Sequence, residues 1–262
     1  MRVVSWNVLR AGRLPQTTGR QERLARISNY LSQMDADIIT LQEASWVFDR
    51  KGNGALDFAE AMGMSAHLAY APTGYHLAVF SRLPGVGWAI GKPLFHAAVS
   101  FNVRIEGVGN LRILGVHLAP ANPARRASEA NFLTQECRDF GTLLVGDLNS
   151  PDPDRDLDGV DRLPPALRAR YAEGSEALDV RVHESFRSAG LIDCAELIGK
   201  VRSTFPTGYD GSCEYSQMRL DYAYVSPGLE KYVRNFHVHE DSRAAGLSDH
   251  YPIEIEIGMP ES

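Results

Sequence analysis

Residues 3–41 run VVSWNVLRAGRLPQTTGRQERLARISNYLSQMDADIITL. Val3 to Val8 reads as a strand. Leu24, Ile27, Leu31 and Met34 follow at spacings of 3, 4 and 3, which puts one apolar stripe on a helix. That helix ends before a second apolar run at Ile38 to Leu41. Strand, helix, strand is the opening of an α/β chain, and the same texture continues outward from it. Further strands are expected at His76 to Phe80, Phe101 to Arg104, Leu111 to Val116, Leu143 to Val145, Asp221 to Val225, Tyr232 to Val238 and Ile253 to Ile257. A second helix is expected with Asn122 as its N-cap and Pro123 at its first position, carrying Ala130, Leu133, Cys137 and Phe140 inward. Residues 151–176, PDPDRDLDGVDRLPPALRARYAEGSE, break the pattern with Asp, Arg and Pro and hold only a short helical stretch near Ala166 to Tyr171. They read as an insertion or lid.

The 262 residues are 44% hydrophobic and 23% charged, the balance of a soluble globular protein with a sizeable core. Both element types run from end to end with no linker or repeat, so the reading is one α/β domain over residues 1–262. Three cysteines, Cys137, Cys194 and Cys213, lack a CxxC spacing, which argues against a disulfide framework and a zinc knuckle. No apolar run is long enough to span a bilayer, and MRVVSWNVLRAG lacks the apolar core of a secretory signal. A cytoplasmic location and no stable membrane insertion are expected. The net charge of −6 argues on its face against a protein that tracks along a phosphate backbone. Carboxylates committed to a metal site would account for much of that charge, so it does not decide the substrate.

Six polar clusters sit against the apolar β-like runs, where a layered fold places the loops that build a site. They are Trp6-Asn7, Gln42-Glu43, His117, Gly146-Asp147-Leu148-Asn149, Leu220-Asp221-Tyr222 and Ser248-Asp249-His250. Singly each is weak, since a glutamate after a strand is commonly a solvated edge and an Asp-His pair commonly a surface ion pair. Together, Asn7, Glu43, Asp147, Asn149, Asp221 and Asp249 with two histidines form a set rich in hard oxygen ligands and free of thiolate. That composition suits Mg²⁺ or Mn²⁺ rather than zinc, and such a site serves phosphoryl chemistry.

In this order the six clusters resemble the endonuclease/exonuclease/phosphatase superfamily of metal-dependent phosphoesterases, whose motifs are matched by WN, QE, the His of VHL, GDLN, LDY and SDH. The resemblance implies a four-layer α/β sandwich of two packed mixed β-sheets flanked by helices, with the active site at the edge where the strands end. It implies Glu43 as the principal metal ligand, with Asn7 and Asp249 completing its shell. Asp147 and Asn149 would position the attacking water and the phosphate, and His250, oriented by Asp221, would stand beside them. Either Asp147 or His250 would take the proton of the water. His117 would donate to a phosphoryl oxygen, and Gln42 would support.

The sequence also departs from known branches. Abasic-site endonucleases of the superfamily read WNxNG and QExK where this chain has WNVLR and QEAS, and carry Tyr in place of His117. In the deoxyribonucleases the matching histidine is backed by a glutamate, whereas the stretch before FSR here is GYHLAV, with no acid. The expected activity is hydrolysis of phosphate esters, with nucleic-acid phosphodiesters first and a small-molecule phosphate ester as the alternative. Arg125-Arg126 and Arg168 with Arg170 are the basic candidates for holding substrate. Phe205, in Thr204-Phe205-Pro206, is a candidate to stack on a base or sugar, and Tyr75 and His76 are expected near the same rim.

Overall fold

Alternation along the strands decides where each side chain goes. A computed structural model of the protein describes residues 1–10, 19–49, 53–138, 141–173, 177–209 and 215–259. Among these, the strands are β1 (Arg2–Asn7), β2 (Ile38–Gln42), β3 (Ser65–Ala69), β4 (Leu77–Ser81), β5 (Gly85–Ile90), β6 (Ala98–Ile105), β7 (Gly109–His117), β8 (Thr142–Asp147), β9 (Ala172–Glu173), β10 (Ala177–Leu178), β11 (Ile192–Asp193), β12 (Asp221–Val225), β13 (Val233–Val238) and β14 (Ile253–Ile257). The helices are α1 (Gly19–Ser32), α2 (Asn53–Met62), α3 (Pro123–Glu136), α4 (Leu157–Asp161), α5 (Pro165–Arg168), α6 (Arg181–Ser188), α7 (Cys194–Ile198) and α8 (Ser242–Ala245).

Two six-stranded mixed sheets result, ordered β13-β14-β1-β2-β4-β3 and β11-β12-β8-β7-β6-β5. Successive side chains on a strand point to opposite faces. Val3, Ile38, Val79, Ile113, Leu143, Val145 and Ala223 therefore meet in one core between the sheets. Their neighbours Val4, Ile39 and Phe80 pack outward with Ile27, Leu31 and Phe58 of α1 and α2. Leu114, Leu144, Tyr222 and Tyr224 pack outward with Ala130, Leu133, Val182 and Phe186 of α3 and α6. Helix, sheet, sheet, helix is the four-layer sandwich that the motifs implied.

The sequence-based elements recur with shifted ends. Asp221–Val225 and Ile253–Ile257 coincide with the expected runs, and the Asn122 side chain caps α3 by accepting from the Arg125 backbone N–H. Ala130, Leu133 and Cys137 are buried as expected, while Phe140 and Cys213 lie outside the described residues. Helices α2 and α6 and strands β3 and β5 lay hidden in the sequence. Strand β5, GVGWAI, is an edge strand whose Val86 and Trp88 stay exposed, and its two glycines weaken the strand signal.

Residues 151–173 form short helices over a satellite core in which Val160, Leu163 and Tyr171 meet Phe205, Met218 and Leu220. The last residues of the expected lid, 174–176, lie outside the described set. Among the described residues no helix is long and apolar enough to cross a membrane.

Candidate active site

Strand direction brings the polar clusters to one edge. β1 runs parallel to β2, and β7 parallel to β8, so Asn7, Glu43, His117 and Asp147 all leave at or just after C-terminal strand ends. β12 runs antiparallel to β8 and starts at that edge, with Asp221 opposite Asp147 in register. Gly146, at φ +147, lets β8 lie against β7: a Cβ there would stand 2.0 Å from the Val116 carbonyl oxygen. Only glycine permits that approach, and it delivers Asp147 to the floor of the site.

Asp147 is almost fully buried and is the hub. Its Oδ2 accepts from Asn7 Nδ2 at 2.9 Å and lies 3.5 Å from His117 Nε2 and 3.8 Å from His250 Nε2. Its Oδ1 accepts from the Asn149 backbone N–H at 2.7 Å. The Asn149 amide is fixed in turn by donation to the Leu118 carbonyl at 3.0 Å. His250 Nδ1 pairs with Asp221 Oδ2 at 2.8 Å. The motifs also hold one another: Trp6 Nε1 donates to the His250 carbonyl at 2.8 Å, and Ser248 Oγ donates to the Asn7 carbonyl at 2.6 Å. Gln42 is buried and donates to Ser5 Oγ at 3.1 Å, a support beneath the floor.

Electrostatics separate the two histidines. Burial pushes the His250 pKa down, but Asp221, Asp147 and Asp249 outweigh it and hold the imidazole well above its ordinary value. Burial pushes His117 well below its ordinary value, and the neighbouring His96 and His250 add to the effect. These surroundings favour the charged form of His250 and the neutral form of His117. Burial raises the Asp147 carboxyl above the usual range, with the His250 charge and the Asn7 and Asn149 hydrogen bonds opposing. Glu43 is pushed up to about 7, first by burial and then by the Asp249 charge.

The donor set fits a hard divalent cation. Glu43 and Asp249 both line the cleft above Asp147, and their mutual repulsion leaves a negative locus that a cation would relieve. Ligand atoms of Asp147, Asp221 and His250 also lie within 4.8 Å of one another. There, however, His250 Nδ1 and Asp221 Oδ2 are already bonded to each other, so the pair orients the ring more than it offers ligands.

The cleft has a volume of about 330 Å³ and includes Asn7, Glu43, His117, Asp147, Asn149, Asp249 and His250 in its lining, while Asp221 stands behind His250. Of the expected substrate contacts, Arg170 and Phe205 line it, and so does Tyr75. Arg125 and Arg168 are not in that lining. Arg125 instead lies over the Phe95 ring at 4.8 Å, because its helix turns it outward toward Glu129. Its neighbour Arg126 is buried and reaches the carbonyls of Ala119 and Arg170, holding the rim from behind. His76 faces Phe48 and Tyr70 and is also not in the lining.

Several lining residues escaped the sequence reading, among them Arg10, His96, Tyr171 and Tyr215. His96 lies against the face of His117, the two rings stacked at 4.2 Å and 17°. His117 Nδ1 has no hydrogen-bond partner among the described residues. Two buried groups brace the loops from below. Glu129 accepts from the backbone N–H groups of Phe95 and Ala119, tying the His96 and His117 segments together. Arg23 donates to the carbonyls of Val8 (2.6 Å), Leu9 (3.0 Å) and Leu247 (2.7 Å), joining the loop after Asn7 to the loop before Asp249. Leu9 and Arg10 are both left-handed, at φ 41 and 48, a strained pair that such bonds hold in place.

A sequence profile of the Endonuclease/Exonuclease/phosphatase family matches residues 4–250. Among solved structures, the 3'-5' exonuclease NExo from Neisseria meningitidis is similar at 21% identity and TM-score 0.71, over 98% of this chain and 99% of that one. An endonuclease/exonuclease/phosphatase family protein from Leptotrichia buccalis is similar at 17% identity and TM-score 0.68, over 99% and 100% of the two chains. A truncated TDP2 from Caenorhabditis elegans is similar at 18% identity and TM-score 0.66, over 98% and 96%. No curated protein matches the sequence.

Proposed function

The chain belongs to the Endonuclease/Exonuclease/phosphatase family and is a hydrolase of phosphate esters, and from that premise we propose that it cleaves nucleic-acid phosphodiesters with Mg²⁺ or Mn²⁺ as cofactor. The observation that carries the reading is the placement of Asp147, within 2.9–3.8 Å of Asn7, His117 and His250 at the floor of one cleft. We assign Glu43, with Asn7 and Asp249, to hold the cation. When bound, that cation supplies charge stabilisation at a phosphoryl oxygen.

The residues of the chain divide the remaining work. The proton-accepting role falls to Asp147, because His250 already carries its proton at neutral pH and a raised carboxyl pKa makes Asp147 the better base. Asn149 fixes the orientation of that carboxylate and aligns the incoming water. As the water oxygen bonds to phosphorus and the ester oxygen departs, the charge growing on the phosphoryl oxygens meets the Nε2–H of His250, held in place by Asp221. His117, neutral, contributes a hydrogen bond without a charge. Two features support a substrate in nucleic acid: aromatic rings beside the floor, and a neighbour of the same fold, NExo, described both as a 3'-5' exonuclease and as a 3' phosphatase bound to a product DNA hairpin.

A second reading, hydrolysis of a small-molecule phosphate ester, is favoured by the net charge of −6 and the small volume of the cleft, about 330 Å³. We further assign residues 1–262 to one domain with a rim insertion at about 151–176, and place the protein in the cytoplasm, where the buried free thiols of Cys137 and Cys194 fit a reducing milieu. A screen of plasmid DNA, RNA, nucleotides, a generic phosphodiester and a generic phosphomonoester, with each metal, tests the reading. Turnover of the polynucleotides above the nucleotides is expected, and turnover confined to small esters would favour the second reading.

A further inference from the structure

Two aromatic walls rise from Asp147, and each ends in a guanidinium. On one side His117 meets the edge-on ring of Tyr75 at 6.4 Å and 88°. The Arg10 guanidinium lies over that ring at 5.0 Å and donates to its hydroxyl. On the other side His250 meets Phe205 at 4.9 Å, and Phe205 meets the edge of Tyr215 at 4.9 Å. Arg170 Nη1 then donates to the Tyr215 hydroxyl at 2.8 Å. All of these line the same cleft.

Phe205 is buried and serves as packing, whereas Tyr75, which also meets the His96 ring at 5.2 Å, and Tyr215 are half-buried rings, one beside His117 and the other beyond His250 and Phe205. A tyrosine hydroxyl holding one donor of an arginine leaves the other guanidinium donors for a phosphate. Each wall therefore offers one planar surface and one anchored cation, and between them lies one position for a scissile phosphate.

We propose that the substrate is a single strand of nucleic acid, held with an unpaired base against the Arg10–Tyr75 pair on one side of the scissile phosphate and a second against the Arg170–Tyr215 pair on the other. This rests on the phosphodiesterase reading above and gives it a strand requirement. A base stacks on a protein ring only when it has left its own helix, so paired strands deny both walls their contact. Duplex binding depends instead on many cations set along the backbone, and each phosphate neutralised adds to the salt dependence. The chain is net negative, and among the described lining residues the arginines are Arg10 and Arg170. Two anchored guanidinia suit the phosphates flanking the cut in a short single strand.

The test is steady-state cleavage of one labelled oligonucleotide in three forms: single-stranded, annealed to its complement, and single-stranded with abasic spacers on both sides of the cut. Wild type, Tyr75→Ala and Tyr215→Ala are compared, with methyl p-nitrophenyl phosphate as a substrate too small to span both walls. The single strand is expected to exceed the duplex at least about tenfold in kcat/KM, and abasic spacers to raise KM about tenfold for wild type, the scale of one lost stacking contact or more. Each variant should show the higher KM on the base-bearing strand and a smaller penalty from the paired spacers than wild type. Equal or faster cleavage of the duplex, indifference to the spacers, or cleavage of the small ester alone would overturn the strand requirement and leave the hydrolase reading standing. Failure of wild type to cleave any phosphodiester with either metal would overturn the phosphodiesterase reading itself, and this proposal with it.

Discussion

His250 and His117 flank one oxygen of Asp147 at 3.8 and 3.5 Å, yet their surroundings push the two imidazoles in opposite directions. Burial pushes both imidazoles down, and what separates them is the company each ring keeps. His250 has Asp221 at 2.8 Å from Nδ1, while His117 has a second imidazole stacked on its face at 4.2 Å. A cation and a neutral ring thus face the same carboxylate, and the two substitutions should not be equivalent.

His250→Ala should lower kcat by roughly two to four orders of magnitude, the scale for loss of a proton-transfer or oxyanion group. Asp221→Asn should cost less, since the ring remains, and should move the alkaline limb of the kcat profile to lower pH. The sign follows from charge: the Asp221 carboxylate raises the His250 pKa, so removing it lets the imidazolium lose its proton sooner. His117→Ala should be milder than His250→Ala. Full pH profiles of the three variants on one substrate check this, and a larger loss at His117 would mean that it carries the charge.

Metal binding should depend on Glu43, whose pKa of about 7 reflects burial and the Asp249 charge. Between the ordinary carboxylate range and that value the folded chain holds a proton that the unfolded chain releases, so ionising Glu43 costs stability as pH rises through this window. A cation offsets the cost. Mg²⁺ or Mn²⁺ should therefore raise Tm more at about pH 8 than at about pH 6, and Glu43→Gln should flatten the difference. Thermal unfolding with and without metal reads this directly; an unchanged metal response in the variant would place the cation elsewhere.

Arg23→Met should destabilise by about 3 kcal/mol or more, because three buried carbonyls lose their donor. It should also raise the metal concentration needed for half-maximal activity, as the loops after Asn7 and before Asp249 drift apart. Arg23→Lys should recover part of the stability and less of the metal response, since one ammonium does not span three acceptors. Denaturant unfolding and metal titrations of both variants separate a clamp from a core residue.

Arg170→Ala should raise KM with kcat largely kept, the signature of lost uniform binding, while Arg168→Ala should leave both near wild type. Arg170 reaches the cleft and Arg168 does not, although they stand two residues apart. Steady-state kinetics of the single variants decides it, and equal effects would mean that the segment shifts when substrate arrives.

That pair marks the limit of what the sequence disclosed. Ordered motifs identified the floor, because Asn7, Glu43, His117, Asp147, Asn149, Asp221, Asp249 and His250 each adjoin an apolar run that fixes where the strand ends. The layers were legible too, since alternate residues such as Leu143 and Leu144 belong to different cores. The walls were not. His96 lies in a loop without periodicity, Arg10 in a left-handed turn, and Tyr215 beyond any strand. Nothing local distinguishes such residues from solvated loop positions, and only the folded register brings them together. Arg125 falls outside the cleft lining for the same reason: its side of α3 is set by Glu129, which accepts from the backbone of Phe95.

The most direct measurement is turnover of a labelled single-stranded oligonucleotide by the metal-stripped protein, before and after adding Mg²⁺ or Mn²⁺, alongside Asp147→Asn under the same conditions. The account predicts no turnover in excess EDTA, recovery with either metal, and loss of roughly two to four orders of magnitude in the variant. Full activity in EDTA, or near wild-type turnover by Asp147→Asn, would contradict it.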